Sequence, residues 1–361
     1  MNILILSYSY VARDIRIIKH EYFFKKAGHA VTVCGYDEPR RKRFGFPEKI
    51  SYLLNIFRKP ERSVEILYGR LAPPDALYDV IVCNDWNTLP LGYRLAQRNK
   101  AKLIYDSHEM ATRQFGIKLL KWFFMIKPLA CIIEKKYIHS AYLVSAVSPG
   151  IVNALKEKYS IKNAILLRNI PIQVSKGENG IYDDIEHEKV RIYYHGGVTR
   201  LRGLEILAKA TVKAKNIELY LRLVGDFAWL KKRFENQPNI FFLEPEPPTT
   251  IGQDFHRFDI GATIFPPNSF NHIHVMPNKF FEYVLNGLPV LVSEENVDLY
   301  ELVREYSLGF SVKKYNVANL LKLFDSIDIN KVRKARTKLR CSNFHVSAEE
   351  EWERWISKIF A

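Results

Sequence analysis

Short runs of apolar and β-branched residues alternate along the chain with helix-length amphipathic segments. The runs occupy residues 2–6 (NILIL), 30–34 (AVTVC), 79–83 (DVIVC), 102–106 (KLIYD), 142–148 (YLVSAVS) and 164–169 (AILLRN). They resume at 191–196 (RIYYHG), 218–225 (ELYLRLVG), 239–244 (NIFFLE), 259–265 (DIGATIF) and 289–294 (PVLVSE). Runs apolar on both faces and separated by helices predict parallel strands in βαβ units. A polar stretch at 173–189 (QVSKGENGIYDDIEHEK) breaks the alternation, so two α/β domains are expected, residues 1–172 and 190–335, with 173–189 as linker. Residues 348–359, acidic and then aromatic, predict a terminal helix. The 361 residues suffice for two domains of about 150 residues each.

Composition narrows the class. Apolar residues at 47% and charged residues at 26% exclude a disordered or fibrous chain. Cys34, Cys83, Cys131 and Cys341 form no C-x-x-C pair, and Cys34 and Cys83 fall in apolar runs. Buried free thiols in a reducing compartment are expected. The opening MNILILSYSYV lacks a basic leader region and reads as a strand, and no uncharged run of about 18 residues occurs. A cytoplasmic protein is the expectation. Net charge is +15, unevenly placed: residues 1–170 hold 28 Lys and Arg against 14 Asp and Glu, and the rest 26 against 25. The first half therefore meets something anionic. Nucleic acid is not expected, because no recognised binding module is present and the basic half is patterned as a packed α/β domain.

Two segments of the second half carry candidate chemistry. Residues 193–204 (YYHGGVTRLRGL) end a strand in Gly196 and Gly197 before a helix, so backbone and helix N-terminus can approach an anion closely. Arg202 can add two hydrogen bonds to phosphate oxygens; a plain strand–helix turn with a solvated arginine is the alternative. In residues 276–290 (MPNKFFEYVLNGLPV), Pro277 starts a helix and Gly287 stops it. Lys279 and Glu282, three apart, share one face and suit a diphosphate and a ribose diol; a surface ion pair is the alternative. No His-Glu-x-x-His, Asp-x-Asp or Cys/His cluster occurs, so no metal site is expected.

The pattern P-x-K-x-x-E-Y-x-x-x-G-x-P-V from Pro277 to Val290, after Phe258-Asp259-Ile260-Gly261, resembles the donor-binding segment of retaining family 4 glycosyltransferases of the GT-B fold. The segment ending at Gly203 is similar to that family's phosphate loop. Asp14-x-Arg16-x-x-Lys19-x-Glu21, Tyr105-Asp106-Ser107-His108-Glu109, Ser145-x-x-Ser148 and Arg168-Asn169-x-Pro171 resemble its first domain, in order. The resemblance implies two Rossmann-like domains facing each other across a cleft, with a C-terminal segment, 336–361, packing back on the first. It implies transfer of a hexose, with retention and without a metal or other cofactor, from a nucleoside diphosphate sugar such as a UDP-sugar. Arg202 and Lys279 would neutralise the diphosphate, Glu282 would hold the ribose, Gly196 and Gly197 would admit the backbone, and His108 would reach the transferred sugar.

Two positions depart from the family pattern. His274 stands where a second glutamate is usual, so sugar binding is expected from backbone N–H groups of the 270–276 loop, around His274 and Met276. Gly196 stands where an arginine is usual; Arg200 is the candidate substitute, with a solvated charge as the alternative. Another GT-B activity, epimerase or phosphorylase-like, or a non-catalytic sugar-nucleotide-binding subunit, are the rival readings. In the first half, residues 40–62 carry eight basic and two acidic residues among aromatic and aliphatic ones, and 117–127 (IKLLKWFFMIK) mixes lysines with bulky apolar groups. Both suit peripheral contact with anionic lipid at the inner face of the membrane, where a glycan or lipid-linked glycan acceptor for surface polysaccharide would be met.

Overall fold

The computed structural model describes residues 1–38, 45–113, 122–172, 187–246 and 250–361, with the side chains of Phe46 and Leu201 left aside. Most of the expected linker, the basic run 40–43 and the lysines at 118 and 121 lie outside the described residues. The chain forms two compact units, Met1–Asn169 with Ala348–Ala361, and Ile170–Ser347.

The first unit is built on a parallel sheet in the order β2-β1-β3-β4-β5-β6. Its strands are β1 (Asn2–Tyr10), β2 (Ala30–Tyr36), β3 (Val80–Asn84), β4 (Lys102–Ser107), β5 (Leu143–Ala146) and β6 (Ala164–Leu166). Ile3 to Leu6 and Ile81 to Cys83 are wholly buried, as strands covered on both faces require. The helix Ile15–Lys26 starts where the Asp14 carboxylate accepts the N–H groups of Arg16 and Ile17.

The predicted terminal helix spans Ala348–Phe360 and packs on the helix Ile15–Lys26. Trp352 and Trp355 are fully buried, Trp355 stacked on His20 at 4.8 Å and Trp352 on Phe23 at 5.2 Å. The Trp352 indole N–H donates to His20 Nδ1 at 3.3 Å, and Glu351 accepts the Arg168 N–H at 2.9 Å. Residues 336–347 belong instead to the second unit, where the helix Ile329–Arg340 ends.

The second unit repeats the architecture in the order β12-β11-β10-β7-β8-β9. These strands are β7 (Val190–Gly197), β8 (Ile217–Val224), β9 (Ile240–Leu243), β10 (Ile260–Ala262), β11 (Val290–Ser293) and β12 (Gly309–Val312). Every predicted run holds a strand. The edge strand β12 was not expected: its GFSV is short and only part-buried, so the apolar signal is weak. Asp259 ties the start of this unit together, accepting from His187 at 2.7 Å, the Arg191 N–H at 2.8 Å and Arg336 at 3.2 Å. Cys34 is half-buried rather than buried, because β2 is an edge strand; Cys83 is fully buried, and all four thiols are free.

Candidate active site

In the second unit the C-terminal end of β7 meets the helix Asn278–Leu285. Lys279 is 7% exposed, and its ammonium donates to the His195 carbonyl at 2.6 Å and lies 3.5 Å from the centre of the Tyr194 ring. Burial pushes its pKa down, as expected of a cation withdrawn from water. The alternative of a solvated i,i+3 pair with Glu282 therefore does not describe it. Arg202 donates from its guanidinium to the Gly197 carbonyl at 2.9 Å. Burial would raise the Tyr194 phenol, but Lys279 and Arg202 outweigh it and the pKa falls, so both cations converge on that hydroxyl.

The glycines are required by this crowding. Gly196 has φ +115°, and a Cβ there would stand 3.4 Å from the Lys279 nitrogen. Gly203, φ +67°, turns the chain into the helix Leu204–Lys213, with its carbonyl held by the Tyr315 hydroxyl at 2.8 Å. A helix N-terminus, two cations and an open backbone thus surround one small region, which is the composition of an anion site. Arg200 does not join it: its guanidinium lies 5.1 Å from the centre of the Trp229 ring.

Glu282 Oε2 lies 3.1 Å from His195 Nε2, without aligned hydrogen-bond geometry. Burial holds the His195 pKa down, with Glu282 opposing, so the imidazole is neutral at pH 7. Glu282 keeps a side chain 20% exposed and can accept from a ligand. Tyr283 explains its place beside Glu282. Its hydroxyl accepts the His195 N–H at 3.2 Å, and its ring occupies the space a Cβ on Gly261 would need, 2.3 Å away. Gly261 therefore sets how closely the helix approaches β10, and the Tyr283 hydroxyl ties it to β7.

The loop before this helix is fixed by Asn296, which bonds the Phe265 N–H at 3.2 Å and the His272 carbonyl at 2.9 Å. The N–H groups of His272, Ile273 and His274 are used within the turn. These three are therefore not the backbone donors expected of this loop. The His274 ring is turned to Asp298 at 3.3 Å, and the Met276 side chain is 4% exposed, part of the core.

In the first unit His108 follows β4 and borders a hollow of about 460 Å³, with Arg13, Asp14, Arg16 and Asn169 among its lining. Its neighbour Asp106 is structural: it accepts from Arg16 at 2.8 and 2.9 Å, His20 at 2.8 Å and Ser145 at 2.6 Å. Burial alone would raise the Asp106 carboxyl, but Arg16 and these bonds hold it well below the usual range. His108 Nε2 stands 3.6 Å from Asp106.

Asp85, which sequence reasoning missed, sits at the end of β3 with φ +68° and ψ 159°, a conformation costly for any residue but glycine. Its carboxylate accepts the His108 N–H, and burial raises its pKa against the pull of the His108 ring. The available signal was Asn84-Asp85-Trp86 directly after a buried strand, where polar residues mark the ligand edge of a parallel sheet. Among the described residues no group of three or more His, Cys, Asp or Glu is arranged to hold a metal ion.

Two six-stranded parallel units, with the terminal helix returned to the first, define the GT-B fold. The chain is similar to sucrose-phosphate synthase from Thermosynechococcus elongatus (TM-score 0.68, 14% identity, 100% of this chain and 96% of that chain). It is also similar to Anabaena HepE, solved with UDP and glucose (TM-score 0.63, 15% identity, 100% of both chains). A third is the lipopolysaccharide outer core galactosyltransferase WaaB (TM-score 0.58, 9% identity, 99% of both chains). At these identities the likeness is one of fold. Neither a family model nor a curated protein sequence matches the chain.

Proposed function

We propose that the protein is a retaining, metal-independent glycosyltransferase of the family 4 type. It moves a hexose from a nucleoside diphosphate sugar, UDP being the first candidate, to a glycan or lipid-linked glycan in surface polysaccharide synthesis. The observation that carries this is the convergence of buried Lys279 and of Arg202 at the Gly196–Gly197 strand end. The diphosphate gains charge as the sugar leaves, and preorganised cations in a low-dielectric site stabilise that charge more than the ground state. Glu282, beside a neutral His195, accepts the ribose hydroxyls. Retention follows if the departing diphosphate takes the acceptor's proton, which leaves the enzyme no need of a strong base.

The first unit is assigned to the acceptor, with His108 and Asp85 as the polar groups for the sugar undergoing transfer. A cavity of about 360 Å³ there, with Tyr8, Glu65, Asn87 and Arg94 in its lining, offers the aromatic face and bidentate polar groups a glycan binds. HepE, the neighbour solved with UDP and glucose, and the galactosyltransferase WaaB support the same reaction class by fold. Calorimetry tests the donor assignment. Wild-type protein should bind UDP, and Glu282→Gln should weaken it about tenfold, the scale of a hydrogen bond to a charged group. Unchanged UDP affinity in the variant would retire the ribose role.

A further inference from the structure

The helix Phe46–Arg58 presents two apolar faces, and among the described residues only one is covered. Tyr52 and Ile56 are buried, and the Tyr52 hydroxyl donates to the Met125 carbonyl at 2.8 Å. Ile50, Leu53, Leu54 and Phe57 are instead 44%, 51%, 62% and 78% exposed. Positions i, i+3, i+4 and i+7 form one stripe along a helix, so these four side chains make a continuous apolar strip open to solvent. A strip of this kind marks a contact surface. The segment Trp122–Ile126, to which Tyr52 is bonded, adds Phe124 at 71% exposure. There the Lys127 ammonium lies 4.9 Å from the centre of the Phe123 ring.

Charge identifies the occupant. Lys49, Arg58, Lys59 and Arg62, all exposed, lie on or just beyond the helix that bears the strip. Counting residues 348–361, which hold four Glu against one Arg and one Lys, the first unit carries +12. Large apolar groups beside cations are the composition of helices that lie in the plane of a bilayer interface. There the side chains enter the acyl boundary while lysines and arginines meet lipid phosphates. Among the described residues no helix is long and apolar enough to cross a membrane.

We infer that the helix Phe46–Arg58 lies in the headgroup layer of an anionic bilayer, its Ile50–Leu53–Leu54–Phe57 strip inserted and its cations on lipid phosphates. Such seating holds the first unit at the surface that carries a lipid-linked acceptor. This rests on the reading of that unit as the acceptor side.

Vesicle flotation tests it. Wild-type protein should float with vesicles containing phosphatidylglycerol, fail to float with pure phosphatidylcholine vesicles, and be released by salt. Leu54→Glu with Phe57→Glu should lower vesicle affinity by at least about tenfold. Both positions are exposed, so UDP binding and melting temperature should be those of the wild type. Lys59→Glu with Arg62→Glu should reduce the preference for anionic lipid in the same way. Three results would overturn the inference: flotation of the Leu54/Phe57 variant as wild type, equal flotation on neutral vesicles, or a wild-type dimer in solution that this variant dissociates. Any of them would leave the donor site intact. Flotation by a wild-type protein that fails to bind UDP would uphold the docking surface and count against glycosyl transfer.

Discussion

Asp85 holds a backbone conformation worth about 1–3 kcal/mol of strain. A glycine there would remove that cost, and with it the carboxylate that accepts the His108 N–H. Asp85→Gly should therefore keep or raise the melting temperature, by up to about 1 kcal/mol of stability, while transfer falls at least about tenfold. Asp85→Asn, which keeps the strain and loses the charge, should lose transfer without the gain in stability. A destabilised Asp85→Gly that turns over normally would show the carboxylate to be structural. Residue-level legibility was uneven for a physical reason. Lys279 and Glu282 declare themselves by spacing on one helical face, whereas the φ of Asp85 is imposed by strands distant in sequence. The same holds for Tyr194, whose ring faces the Lys279 ammonium, and for Tyr283, whose ring packs against Gly261.

At the scale of elements, apolar runs located the strands because parallel strands are covered on both faces and need continuous hydrophobicity. The edge strand β12 escaped because that demand lapses at a sheet's margin. The terminal helix was legible from its acidic start and aromatic end, but its anchor was not: neutral His20 between Asp106 and Trp352. Burial lowers the His20 pKa, against Asp106 and with Arg16 and His108. The unfolded state then binds more protons below the ordinary histidine value of 6.5, so stability is full above that pH and declines as pH falls. Protonation would also cost the Trp352 N–H its acceptor. Denaturant melts should show this decline below pH 6.5, and His20→Gln should flatten part of it. His195 and His272, also held down by burial, keep their share of the slope. A slope identical in the variant would show that His20 titrates normally. Asp106 acts only further down, its stabilisation being lost as pH falls below the ordinary carboxylate value of 3.8.

Taken whole, the molecule separates its chemistry by unit, a strongly basic first unit and a nearly neutral second one that concentrates two cations at a single strand end. Charge counting made that division visible in the sequence, since it depends on composition alone. The buried state of Lys279 was not visible, since helical spacing does not say which face meets the sheet. The central claim is that Lys279 and Arg202 stabilise a departing nucleoside diphosphate. Its most direct test is release of UDP from UDP-hexose, by transfer or hydrolysis, measured with EDTA present for the wild type, Lys279→Ala and Arg202→Ala. The account predicts turnover by the wild type in EDTA and a fall of at least about 100-fold in each variant, with folding retained. Turnover at the wild-type rate in both variants, or a wild type inactive until a divalent metal is added, would contradict it.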